Sequence, residues 1–237
     1  MQAVFKRHEK KYLITSEQAQ NIQSILPGRM TPDGTGTYWV QNIYFDNNRW
    51  DVINISMDKP YFKEKMRLRC YGDINTANHV FLELKKKYAG IVYKRRVALP
   101  KQALDIPLEN ALESDDSQIA RELKFYLQTA QVSRKMFLSY RRAAFMGMGE
   151  NSPLRITFDS TIRYRTNKLD FIHSPKDGSL VFPENAVIME IKTPFSIPLW
   201  LARFLSENKI FGTSVSKYGV CFSDFFQKTY KGAVGYV

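Results

Sequence analysis

The charges of this chain fall on strand faces. Side chains at i, i+2 and i+4 of a β-strand point the same way. Between Lys65 and Cys70 the cations Lys65, Arg67 and Arg69 share one face, while Met66, Leu68 and Cys70 share the other. Glu83 aligns with Lys85 against Leu82 and Leu84; Lys94 aligns with Arg96, Tyr140 with Arg142, and Arg163 with Arg165. Arg155, Thr157 and Asp159 align against Ile156 and Phe158, Glu190 and Lys192 against Met189 and Ile191, and Arg7, Glu9 and Lys11 share a face near the start. A single strand of this kind usually means a solvated face over a core. Repetition across many strands, rich in Arg and Lys and sparse in carboxylates, is different. Cations on neighbouring strands repel one another unless an anion neutralises them. Arginine forks match phosphate oxygens and lysine adds a point charge. The chemistry such a surface could do is phosphoryl transfer, which asks mainly for positioning and charge stabilisation. Glu190, Glu83, Glu9 and Asp159 are the carboxylates that could hold a divalent metal bridging phosphate oxygens. Each alone is more often a salt-bridge partner than a ligand.

The elements that must position these groups are mostly strands. Period-two alternation marks 5–14, 38–45, 63–71, 79–86, 91–99, 137–145, 154–161, 162–166 and 186–192. Three helices are expected. Thr15 with Gln18 forms a capping box before Ala19, Ile22, Ile25 and Leu26; a second helix follows Asp115-Asp116-Ser117, with Ile119, Leu123, Tyr126, Leu127 and Ala130 as its stripe; a third starts near Ser196 with Pro198 in its first turn. Turns fall at Pro32-Asp33-Gly34, Tyr71-Gly72-Asp73, Ala89-Gly90 and Lys176-Asp177-Gly178. No linker, repeat or low-complexity stretch interrupts the chain, so one domain over 1–237 is expected. Strands with inserted helices imply an antiparallel α+β domain. The inside of a closed barrel would gather every charged face, with helices covering the apolar exterior.

Composition narrows the partners. The chain has 237 residues, with Lys+Arg 35 against Asp+Glu 23, a formal net charge of +12. That excess favours a polyanion: nucleic acid, acidic membrane, nucleotide or polyphosphate. Cys70 and Cys221 form no CxxC, and His8, His79 and His173 no HxH or HExxH, which excludes a disulfide framework and the usual zinc sites. Neither GxxxxGK[ST] nor a strand-borne GxGxxG is present, so P-loop and Rossmann routes to nucleotides are not expected. The N-terminal residues carry no apolar signal region, and no apolar run approaches the roughly 20 residues that cross a bilayer. A soluble, cytoplasmic protein is expected.

An ordered set of short motifs carries a resemblance. Arg7-x-Glu9-x-Lys11-Tyr12, Arg67-Leu68-Arg69, Glu83-Leu84-Lys85, Lys94-Arg95-Arg96, Tyr140-Arg141-Arg142-Ala143-Ala144-Phe145, Leu154-Arg155-Ile156, Met189-Glu190-Ile191-Lys192 and Ser216-Lys217-Tyr218 occur in sequence. Each is weakly specific; together they resemble the VTC catalytic domain, the polyphosphate polymerase module of the vacuolar transporter chaperone complex. That domain belongs to the triphosphate tunnel metalloenzymes, and this chain is similar to a bacterial-type stand-alone member. The resemblance implies an antiparallel β-barrel tunnel of about eight strands with a few covering helices. It implies binding of ATP or another nucleoside triphosphate and of inorganic polyphosphate or triphosphate, with Mn²⁺ or Mg²⁺. By similarity the phosphate-binding cations are Lys11, Arg67, Arg69, Lys85, Lys94, Arg142, Arg155 and Lys217. Glu190 would be the metal ligand, with Glu9, Glu83 and Asp159 as further candidates. The family's polymerase transfers the γ-phosphoryl of a nucleoside triphosphate to a growing polyphosphate chain.

Two positions depart from the wider pattern. The superfamily starts with ExExK, but Arg7 takes the first acidic position; that fits the VTC branch and leaves a metal fewer ligands. Ser214 stands where the polymerase carries a second lysine, three residues before the one matched by Lys217. Neither the SPX domain nor the membrane segments of the eukaryotic assembly are expected in this chain. No direct membrane insertion is expected, and coupling to translocation would need a membrane partner protein. Three readings stay open: a metal-dependent polyphosphate polymerase, a tri- or polyphosphatase using water as acceptor, and a non-enzymatic polyanion-binding module. Nucleic acid is not expected, since the aromatics show no RNP-like pattern. Glu190 is expected to bind metal rather than serve as a salt-bridge partner. Lys217, following Phe211-Gly212, is expected on a mobile rim segment.

Overall fold

The structure, a computed structural model, describes residues 8–34, 36–58, 60–89, 91–194 and 196–231. In chain order the elements are β1 (His8–Thr15), α1 (Ser16–Ser24), β2 (Met30–Pro32), β3 (Tyr38–Asp46), α2 (Asp51–Met57), β4 (Phe62–Tyr71), β5 (His79–Tyr88), β6 (Ile91–Pro100), α3 (Leu108–Ala111), α4 (Gln118–Ala130), β7 (Ser133–Gly147), β8 (Arg155–Arg165), β9 (Ser179–Leu180), β10 (Ala186–Thr193), α5 (Leu199–Glu207) and α6 (Lys217–Phe226). Phe5 and Arg7, Gly90 of the Ala89-Gly90 turn, and the last six residues lie outside the described residues.

The mixed α+β class follows the alternation. The strands form a ten-stranded sheet along the path β1-β10-β8-β7-β3-β4-β5-β6, with β2 on β7 and β9 on β8. The path has two ends, β1 and β6, so strand pairing among the described residues does not close it into a ring. The pairs β1–β10, β10–β8, β2–β7, β3–β4, β4–β5 and β5–β6 are antiparallel. The segments 154–161 and 162–166, expected as two strands, are one strand, β8, and Thr161 adopts a left-handed φ of 53° within it.

The chain gathers into two compact units of interleaved segments: unit 1 from Met1–Tyr38, Tyr140–Ile162 and Leu180–Lys217, unit 2 from Trp39–Ser139, Arg163–Ser179 and Tyr218–Val237. In unit 1 the apolar faces of β1, β8 and β10, with Tyr12, Ile14, Ile156, Phe158, Val187, Met189 and Ile191, pack against Ala19 and Ile22 of α1 and Leu201 and Leu205 of α5. Thr15 caps α1 as expected: its hydroxyl accepts from the Gln18 amide, and the Gln18 side chain accepts from the Thr15 amide. In unit 2 the apolar faces of β4, β5 and β6, with Met66, Leu68, Leu82, Leu84, Val97 and Leu99, pack against Ala120, Leu123, Tyr126 and Leu127 of α4. Ser117 caps α4 by accepting from the Ala120 amide. Gly178, at φ 110°, has no room for a side chain: a Cβ there would meet the Tyr164 carbonyl.

Three helices were not expected. The cap of α2 is supplied from the end of the preceding strand: Asp46 of β3 accepts from the amides of Val52 and Ile53 at 3.0 and 2.9 Å. α3 is a four-residue turn after Pro107. α6 buries Tyr218, Gly219, Cys221 and Phe222. The expected third helix starts at Leu199, just after Pro198.

Candidate functional site

In unit 2 the register explains the charge cluster. Arg67 of β4 faces Glu83 of β5, which faces Arg96 of β6; Lys65, Lys85 and Lys94 form the next row. Cross-strand neighbours on one face lie within reach of one another. Glu83, 1% exposed, receives three cations. Arg67 Nε lies 2.8 Å from its Oε2, and Lys94 Nζ 2.8 Å from its Oε1. Arg96 Nε donates to Oε1 at 2.6 Å, with its Nη2 also in contact. Burial works to raise the Glu83 carboxyl, but Arg67, Arg69 and Lys94 hold it well below the usual carboxylate range. One carboxylate cannot neutralise these four cations, which leaves a local positive excess.

Neutral side chains hold the forks in place. Arg67 Nη1 donates to the Tyr44 hydroxyl at 3.0 Å, and Arg69 Nε to Asn42 Oδ1 at 2.9 Å. The Tyr71 hydroxyl accepts from Arg69 Nη1 at 3.2 Å and from Arg96 Nη2 at 2.9 Å. Burial opposes ionisation of Tyr71, yet Arg69 and Arg96 bring its phenol down to about 8.

Unit 1 carries a different arrangement. Arg142 of β7 grips Asp159 of β8 with both fork nitrogens at 2.7 Å. Lys217 Nζ lies 2.7 Å from Asp159 Oδ2 and 2.7 Å from Glu190 Oε1 of β10. Lys192 reaches the other Glu190 oxygen at 3.5 Å. Burial disfavours both charges, but Asp159 and Glu190 hold the Lys217 ammonium protonated far above its ordinary range, and Lys217 and Lys192 hold Glu190 well below its own. Tyr140 lies beneath both cations, its ring centroid 5.1 Å from Lys217 Nζ and 5.2 Å from the Arg142 guanidinium carbon.

The remaining expected residues fall around these clusters. Lys11 faces Glu190 in the register and donates to the Val215 carbonyl at 3.1 Å. Glu9 pairs with Lys11 at 3.4 Å. Arg155 turns to Asp33, at 2.7 and 3.0 Å. Arg7 lies outside the described residues. One expectation is corrected: Lys217 is no mobile rim residue, but opens α6 with its ammonium largely buried between two carboxylates. Glu190 does form salt bridges, with Lys217 and Lys192.

Among the described residues no group of three His, Cys, Asp or Glu side chains could hold a metal. Two carboxylates fit a smaller demand, because Mg²⁺ and similar ions are commonly held by one or two carboxylates plus substrate phosphates. The Lys217 ammonium lies 2.7 Å from an oxygen of each of these carboxylates, Asp159 and Glu190.

Tyr44, Tyr71, Asn42 and Thr157 join these clusters without having been expected as site residues. Tyr71 was findable, since it stands at i+2 from Arg69 on the cationic face. Thr157 faces Glu190 directly, is buried, and its hydroxyl has no hydrogen-bond partner among the described residues. Asn42 and Tyr44 lie on β3, which carries no Lys or Arg to mark its face.

Among the described residues no helix is long and apolar enough to cross a membrane. No curated protein matches the chain. Among solved structures, the chain is similar to a candidate adenylate cyclase from Vibrio parahaemolyticus, at 11% identity and TM-score 0.48, covering 90% of this chain and 96% of that one. A candidate adenylate cyclase from Bacillus halodurans aligns at 14% identity and TM-score 0.48, covering 94% and 96%. The Schizosaccharomyces pombe Mediator head module aligns at 10% identity and TM-score 0.45, covering 86% and 90%. The family model of the VTC domain matches residues 6–226, nearly the whole chain and every cluster described above, and the chain belongs to the VTC domain family.

Proposed function

We propose that this protein is a metal-dependent phosphotransferase that passes the γ-phosphoryl group of a nucleoside triphosphate, ATP among them, to a polyphosphate chain. The observation that carries the reading is the unit 2 cluster, where Arg67, Lys94 and Arg96 crowd one buried carboxylate and Arg69 stands beside them. A surplus of guanidinium and ammonium groups fixed by Tyr44, Asn42 and Tyr71 is preorganised for phosphate oxygens. Family membership supports the same reading.

In the transfer, a terminal phosphate oxygen of the acceptor forms a bond to the γ-phosphorus. The bond from that phosphorus to the β-bridging oxygen breaks, and the nucleoside diphosphate leaves with the electron pair. No side-chain nucleophile is required. Arg67, Arg69, Lys85 and Lys94 bind and orient phosphate groups in unit 2. In unit 1, Lys11, Arg142, Arg155 and Lys217 are the phosphate ligands, and Arg142 also fixes Asp159. Glu190, with Asp159 beside it, would hold Mn²⁺ or Mg²⁺. When bound, such an ion supplies charge neutralisation at phosphate oxygens.

The test is the product profile after incubation with ATP and Mn²⁺. Polyphosphate chains with matching nucleoside diphosphate are expected. Free phosphate alone would make the protein a hydrolase, and binding of polyphosphate without turnover would make it a binding module; either result overturns the transferase reading.

A further inference from the structure

Unit 2 ends in an apolar corner that the phosphate chemistry does not use. Large apolar side chains are normally exposed singly. Here Tyr61 is 69% exposed, Phe62 48% and Tyr88 51%, and Ile91 and Val92 are exposed beside them. The registers place Phe62, Tyr88 and Ile91 in one row, with Phe62 facing Tyr88 and Tyr88 facing Ile91 across the β5–β6 hairpin, and Val92 beside Ile91 on the opposite face. Tyr61 packs edge-on against Tyr88, with ring centroids 4.9 Å apart, and its carbonyl accepts from the Ala89 amide. α2 adds exposed Ile55 and Met57 next to the start of β4, tied there by Lys63 Nζ donating to the Ser56 carbonyl at 2.9 Å.

Lysines form a collar around this corner. Lys63 faces Lys87, which faces Val92; Lys86 follows at the next pair, bridged to Glu64 at 3.9 Å, and Lys65, Lys85 and Lys94 make the row behind. We propose that this hairpin end is a peripheral docking surface for an anionic lipid bilayer: Tyr61, Phe62, Tyr88, Ile91 and Val92 enter the headgroup region, and the lysine collar meets acidic headgroups. Aromatic rings favour the membrane interface. Lysine stems lie along apolar surface while their ammonium groups reach the headgroups, and anionic lipid attracts them. The collar's charge argues against a second copy of this chain as the occupant. A two-fold interface sets the same patch against itself and would bring Lys63 and Lys87 against their own copies.

The test is co-sedimentation of the full chain with vesicles of equal parts phosphatidylglycerol and phosphatidylcholine, with and without saturating triphosphate, and with pure phosphatidylcholine as control. Pelleting with the mixed vesicles, unaffected by triphosphate and suppressed by salt, is expected. The Tyr61→Ser, Phe62→Ser, Tyr88→Ser triple variant should lower vesicle partition about tenfold or more, with melting temperature and triphosphate affinity unchanged. Lys87→Glu should weaken binding to mixed vesicles by a smaller factor. The proposal is overturned if the protein stays in the supernatant, if it pellets equally with pure phosphatidylcholine, or if the triple variant pellets like the parent. Release by triphosphate would also overturn it, by tracing the binding to the phosphate cluster. So would light scattering that shows a dimer lost in the triple variant, which assigns the surface to a second copy. The readout is partition, not turnover, so it stands or falls apart from the transferase reading.

Discussion

The two charge clusters solve opposite problems. In unit 1, Asp159 and Glu190 meet Arg142 and Lys217 in close, buried, nearly balanced pairs. In unit 2, Arg67, Lys94 and Arg96 share Glu83, and the positive charge is in excess. A balanced buried cluster is satisfied within the protein, and removing one partner strands the other. An unbalanced, partly open cluster is held short of neutrality until an anion arrives. The first should therefore show itself in stability, the second in ligand affinity.

The largest effect should come from Asp159→Ala, which leaves the Arg142 guanidinium and the Lys217 ammonium without their shared carboxylate. Urea unfolding should show a loss of about 3–5 kcal/mol. Glu83→Gln should cost clearly less, because the cations it releases are partly exposed and less crowded without it. Equal losses in the two variants would erase the distinction between the clusters. Next in size is the Arg67→Ala, Arg69→Ala double variant. Triphosphate affinity, read by calorimetric titration, should fall about a hundredfold, taking about 1.5 kcal/mol or more for each charge-assisted contact; unfolding should shift little. Unchanged affinity in a folded protein would show that the unit 2 excess serves no anion. Glu190→Gln keeps shape and drops charge. It should abolish Mn²⁺-dependent turnover and weaken Mn²⁺ binding several-fold, with a smaller stability loss than Asp159→Ala because Lys217 retains Asp159. Retained Mn²⁺ dependence would remove Glu190 from the metal site.

The smallest effect is a pH inflection. Tyr71 ionises near 8 in the folded protein, below the ordinary value of 10.0. Its phenolate would neutralise part of the Arg69 and Arg96 charge, so triphosphate affinity should fall as pH rises through about 8. The sign for stability is the reverse. The folded form gives up this proton first, so its contribution grows as pH rises from 8 towards 10 and is absent below 8. Tyr71→Phe should flatten both profiles; an ultraviolet tyrosinate titration with no group near 8 would refute the assignment.

Period-two alternation made most strands legible, because each strand sets an apolar face on a core and the sequence must repeat that face. It also exposed the cationic rows, since the register aligns what the strand face already groups. The misses have physical causes. α2 was hidden because its cap, Asp46, lies on β3 rather than next to the helix. α6 was hidden because Gly219 and a run of aromatics replace a clean stripe, and so Lys217 read as a rim lysine. β8 was split in two because nothing in the sequence shows that the strand runs on past a left-handed Thr161. The pairing of Arg155 with Asp33 joins residues 122 positions apart, beyond any local pattern.

The interleaving of segments bears on how the chain acquires its structure. Lys11 bonds Val215 across 204 positions, and Asp46 meets Tyr218 across 172. Neither unit is a continuous stretch, and β7 and β8 each contribute to both. Large loops must close before such contacts form, which slows the search for the native state. A ribosome releasing this chain from its N-terminus cannot finish unit 1 until Lys217 has emerged, so the two units should mature together after synthesis, and a proteolytic cut within 39–217 should leave no fragment carrying a whole unit.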